Sequence, residues 1–99
     1  MNLENDPVIH FIKGFSQEQA MVTRVTLYGS RARGDFKPKS DYDFCFWFAD
    51  GDRAVIGNIF EMVRQRNPTL FALDLVNWTD ASEGLRAAVN QQGKIIYET

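Results

Sequence analysis

The segment Tyr42-Asp43-Phe44-Cys45-Phe46-Trp47-Phe48 constrains the fold more than any other part of the chain. Side chains alternate along a strand. Read as a strand over Asp43 to Phe48, it sends Tyr42, Phe44, Phe46 and Phe48 to one face. Asp41, Asp43, Cys45 and Trp47 then share the other. The aromatic face is a natural core layer and needs a cover. The opposite face starts with two carboxylates whose Cα atoms lie roughly 6–7 Å apart. Two like charges at that separation repel unless something positive lies between them.

Other elements follow from periodicity and punctuation. Asp6-Pro7 marks a helix start, with Val8, Phe11, Ile12 and Phe15 at helical spacing. Gly14 weakens its end, and Ser16 is a candidate cap for a second short turn. Val22 to Tyr28 reads as a strand, stopped by Gly29-Ser30. Arg31 to Asp35 suits a brief helix closed by Gly34, and Phe36 to Ser40 a loop. Ala49 to Asp52 is a turn, and Arg53 to Arg66 a helix ended by Asn67-Pro68. Leu70 to Trp78 reads as a strand. Thr79 or Asp80 is expected to cap a last helix, which Gly93 closes before a short strand, Lys94 to Glu98. The order helix, strand, strand, helix, strand, helix, strand predicts an α+β fold: a mixed sheet with helices packed mainly on one face.

A chain of 99 residues supports one domain, or one that needs a companion. Its net charge of -2 argues against a protein that coats nucleic acid through bulk charge. A single cysteine, Cys45, excludes an internal disulfide and a thiolate metal cage. No signal-peptide pattern and no apolar run of membrane-spanning length is present, so a cytoplasmic protein is expected.

The chemistry concentrates in two places. Asp74 interrupts the apolar run Leu70 to Val76, where an unpaired buried carboxylate is costly. Laid beside Asp43 to Phe48, this strand brings Asp74 to Asp41 and Asp43. A D-x-D pair alone is common. Three such carboxylates can hold two Mg²⁺ ions for a phosphoryl displacement. Upstream, Gly29 lets a ligand approach the backbone closely, and Ser30 adds a hydroxyl and an N–H. Arg31, Arg33, Lys37 and Lys39 surround this turn, and arginine's fork fits phosphate oxygens. The lysine-then-serine ending of a Walker A loop is absent.

The segment GSRARGDFKPKSDYDF, Gly29 to Phe44, resembles the signature of minimal nucleotidyltransferases of the DNA polymerase beta-like superfamily. The likeness runs from about Thr23 to the closing Gly93-Lys94-Ile95-Ile96-Tyr97-Glu98, and Asp74 falls where the third acid of the family is expected. The resemblance implies one minimal nucleotidyltransferase domain over residues 1–99, which transfers AMP from ATP to an acceptor hydroxyl and releases pyrophosphate. It implies that Asp41, Asp43 and Asp74 are the catalytic metal ligands for two Mg²⁺ ions, and that Gly29 and Ser30 hold the triphosphate. Arg31 and Arg33 are further candidates for phosphate contact. It also implies a small helical partner, HEPN-type or substrate-binding, as in toxin–antitoxin pairs. A homo-oligomer is a further expectation. The alternative is a non-catalytic nucleotide-binding antitoxin that neutralises its partner by binding alone. A direct nucleic-acid binder ranks last, since only four basic residues cluster and the aromatics have core periodicity.

Overall fold

The structure, a computed structural model, describes residues 5–99. Helix α1 spans Pro7–Gln17. The Asp6 carboxylate accepts from the N–H groups of Val8 and Ile9 at 2.8 and 3.2 Å. Pro7 has no N–H to leave unpaired at this position. The other Asp6 oxygen accepts from the Tyr42 hydroxyl at 2.6 Å, which ties the helix start to the neighbouring sheet. The helix runs through Gly14, so Ser16 lies inside it and caps nothing.

Strand β1 (Val22–Tyr28) is followed by a single helical turn, α2 (Ser30–Arg33), one residue earlier than expected. Gly34 ends it at φ +91°, a left-handed angle that favours glycine. Strand β2 is Tyr42–Phe48 and helix α3 is Arg53–Arg66, capped by Asp52. Strand β3 covers only Leu73–Asn77, shorter than the apolar run suggested. Side chains explain the loss at its start. Asn67 donates to the Phe71 carbonyl at 2.9 Å and accepts from Thr69, which bends residues 67–71 into a turn. At its end Asn77 caps a 3₁₀ turn, Trp78–Asp80. Helix α4 (Glu83–Gln92) is therefore capped by Ser82, not by Thr79 or Asp80. Strand β4 is Lys94–Glu98.

The sheet order is β3-β2-β1-β4. β1 lies antiparallel to β2 and β4, while β2 and β3 are parallel and joined through α3. The sheet is mixed, with helices packed largely on one face, as expected. Phe44 and Phe46 are fully buried there against Ile9 and Ile12 of α1 and Ile59 and Val63 of α3. Burying each such ring contributes about 1.5–3 kcal/mol. A smaller cluster occupies the other face: Tyr28, Cys45 and Val89, with Trp47, Trp78 and Leu85 packed on it. The Trp47 and Trp78 rings stack with centroids 4.8 Å apart. Helix α4 thus covers the middle of the second face. Among the described residues, no helix is long and apolar enough to cross a membrane.

Candidate active site

The candidate residues gather at one end of that second face. Strand pairing sets Tyr28 opposite Asp43, and Asp43 opposite Asp74. Paired residues in a sheet share a face, and neighbouring strands lie about 4.8 Å apart. One phenol and two carboxylates therefore form a row across β1, β2 and β3. Asp41 stands one residue before β2 and is exposed. Asp74 is exposed on the edge strand, which removes the burial cost inferred for an aspartate in an apolar run.

The row is electrostatically tense. The Asp43 carboxyl is pushed up to about 6, first by burial, then by the charge of Asp74 and a hydrogen bond with it, then by Asp41. Arg33 opposes the shift. Burial, followed by Asp74 and Asp43, drives the Tyr28 hydroxyl in the same direction and keeps it protonated. In sequence Tyr28 is only the last residue of a strand; in the fold it stands beside the carboxylates. Only the β1–β2 register reveals it.

Gly29 makes this crowding possible. Its φ is +76° and its ψ −159°, a region essentially confined to glycine. A Cβ at Gly29 would run into the Asp43 carboxylate and lie 3.1 Å from its Cγ. Gly29 is required by its own backbone and by the side chain facing it. Its carbonyl accepts from Ala32 and Arg33 N–H groups at 3.1 and 3.0 Å, which starts α2 beside the carboxylates. Ser30 is the first residue of that turn.

The two arginines part company. Arg33 is exposed, with Nε 3.3 Å from the Asp35 carboxylate and Nη1 donating to Gln92 at 2.9 Å. It links α2 to the end of α4 near Asp43. Arg31 is 5% exposed and donates to the Pro38 and Ser40 carbonyls. The structure thus groups Asp43, Asp74, Gly29, Ser30 and Arg33, with Asp41 at the rim, and sets Arg31 behind the loop. Lys37 and Lys39 are exposed on that loop.

Among the described residues, no three His, Cys, Asp or Glu side chains are gathered tightly enough to cage a metal ion unaided. The Asp43–Asp74 pair nevertheless suits a hard divalent cation: two carboxylates, mutually repelling, on one open face. Mg²⁺ is commonly held by one or two carboxylates together with substrate phosphates and water.

Comparison with known proteins bears on the fold and the family. The fold resembles a solved toxin–antitoxin complex with AMP-PNP (TM-score 0.73, 24% identity, covering 92% of this chain and 73% of that one). It also resembles a tri-AMPylated Shewanella oneidensis HEPN toxin in complex with MNT antitoxin (TM-score 0.67, 21% identity, 93% of this chain and 71% of that one). A MntA–HepT toxin–antitoxin complex is similar at TM-score 0.66 and 21% identity, with 93% and 71% covered. At these identities the likeness establishes the fold. No curated protein sequence matched. Residues 11–99 match the family model described as Polymerase beta, Nucleotidyltransferase, and the chain therefore belongs to that nucleotidyltransferase family.

Proposed function

We propose that the protein transfers AMP from ATP to a hydroxyl on a small helical partner, as the antitoxin half of a toxin–antitoxin pair. The observation that carries this reading is the Asp43–Asp74 register beside Gly29, with Asp41 one residue before the strand. The likeness to an AMP-PNP complex and to an AMPylated toxin complex supports the choice of nucleotide and partner.

In this reading Asp43 and Asp74, joined by Asp41, would hold Mg²⁺, two ions when the nucleotide is bound. Such ions neutralise the triphosphate charge and align attacking and leaving oxygens. Gly29 and Ser30 receive the triphosphate through backbone N–H groups and the Ser30 hydroxyl, and Arg33 adds a cation at the mouth. The acceptor oxygen attacks the α-phosphorus, and its proton passes to water at the open carboxylate face. The bond from that phosphorus to the β-phosphate oxygen breaks, and pyrophosphate leaves. Little covalent work falls to the protein, so placement and charge carry the rate. Tyr28, held protonated, is a neutral donor beside the carboxylates and adds no further negative charge to the row.

The test uses cell lysate supplemented with the purified protein, Mg²⁺ and ATP labelled at the α-phosphate. A labelled protein band absent with Asp43→Asn establishes the transfer and gives the acceptor's size. No label on any protein, with a partner neutralised equally well by the triple aspartate variant, selects a module that acts by binding alone.

A further inference from the structure

Arg31 stands apart from the other basic side chains of its segment. Its guanidinium donates from Nη2 to the Ser40 carbonyl at 3.0 Å and to the Pro38 carbonyl at 3.2 Å, and from Nε to Ser40 at 3.3 Å. Three rings surround it: Phe36 at 4.3 Å, Tyr42 at 4.4 Å and Phe71 at 5.0 Å from Cζ to ring centroid. These contacts belong to two separate stretches of chain. Pro38 and Ser40 are in the loop that leads into β2, and Ser40 is bonded to Asp41. Phe71 is in the lead-in to β3, next to Ala72, whose carbonyl accepts from the Tyr42 N–H at 3.1 Å. One buried cation therefore joins the approaches to both carboxylate-bearing strands.

We propose that Arg31 is a positioning residue: it pins the Phe36–Ser40 loop against the approach to β3, and so fixes Asp41 relative to Asp43 and Asp74. A planar fork with faces that stack on rings suits this task. A lysine supplies one point charge and cannot serve two carbonyls while stacking between rings. Direct phosphate contact, expected of Arg31 from sequence, would require the guanidinium to leave both carbonyls and all three rings. The consequence for activity rests on the nucleotidyltransferase reading, whereas the clamp does not depend on it.

Two readouts separate the clamp from a phosphate contact. The first is tryptic cleavage of the Lys39–Ser40 bond in the folded protein, followed by fragment mass. The second is ATP affinity, measured in EDTA and then with Mn²⁺. Arg31→Lys and Arg31→Met should each speed the cut by about tenfold, since neither side chain reproduces the fork that holds both loop carbonyls while stacked between rings. Affinity for ATP in EDTA should stay within about twofold of wild type, while the gain from Mn²⁺ shrinks by about tenfold through a displaced carboxylate. A direct phosphate ligand behaves in the opposite way: ATP affinity in EDTA falls, lysine partly restores it, and the loop stays resistant. That pattern, or unchanged cleavage in both variants, overturns the proposal. Should neither variant fold, Phe36→Ala removes one ring from the loop side and must itself speed the cut. Should wild type gain no ATP affinity from Mn²⁺, the nucleotidyltransferase reading fails, and the cleavage rates still decide the clamp.

Discussion

The two faces of β2 are built from alternating residues of one strand, yet they obey different rules. On one face Tyr42, Phe44 and Phe46 are buried among α1, α3 and their own ring neighbours. Burial of these rings favours folding. On the other face, Cys45 is buried beneath Val89, but α4 leaves Asp43 part-exposed and Asp41 outside. The carboxylates at that uncovered end oppose one another, and folding brings them together at a cost. A local cost of this kind, maintained by a fully apolar opposite face, is what a charged-ligand site needs. In the proposed reading, stability and function are thus divided by the pleat rather than by distance along the chain.

Substitutions on either face should break this division cleanly. The largest effect is expected from Asp43→Asn, which should lower Mg²⁺-dependent AMP transfer by about 10²–10³-fold, a loss typical of removed charge-stabilising groups. Its thermal midpoint should not fall, because a like-charge contact is relieved. Label incorporation and calorimetry on the same sample check both halves. Phe44→Ala, one position along, should instead cost about 3–5 kcal/mol of stability in urea unfolding, from lost burial and a residual cavity. If Phe44→Ala spared stability, or Asp43→Asn melted the fold, the two faces would not be separable.

Gly29 sits at the junction and should show both effects. Gly29→Ala should cost about 1–3 kcal/mol for backbone strain and displace the Asp43 carboxylate as well. Urea unfolding gives the first quantity and metal-dependent nucleotide binding the second.

A smaller effect separates the two faces through pH. The Asp43 pKa rises from an ordinary 3.8 to about 6 on folding, chiefly through burial and then Asp74. Between these values the native state holds a proton that the unfolded chain has lost. Its contribution to stability is therefore fully present below 3.8 and is lost as pH rises through about 6. Cation binding runs the other way, since the ligand must be deprotonated. Mn²⁺ affinity should fall by up to about tenfold per pH unit below about 6, while the metal-free protein becomes more stable over the same range. Asp43→Asn should flatten both curves.

Much of this division was legible in the sequence. The alternation over Tyr42 to Phe48 assigned both faces of β2, and Asp6-Pro7 marked the start of α1, because both signals are local. The parts that were not legible depend on contacts across the chain. Thr79 and Asp80 have capping side chains, but Asn77 starts a 3₁₀ turn first and leaves the cap to Ser82. Leu70 to Ala72 have strand composition, but Asn67 and Thr69 hold the chain in a turn. Arg31 and Arg33 are indistinguishable as letters two positions apart. The helical turn between them sends one under three aromatic rings and the other to the surface. Tyr28 joins the carboxylate row only through strand register, which no local pattern specifies.

Whether the carboxylate face holds a metal-bound nucleotide is decided by binding of an α,β-methylene ATP analogue, whose α–β link resists transfer. Titrations of wild type and Asp43→Asn should be run with Mg²⁺ and with EDTA. Binding should depend on Mg²⁺ in the wild type, with that dependence abolished by the substitution. Equal affinity in all four titrations would contradict it, because the carboxylate face would then play no part in holding a metal-bound nucleotide.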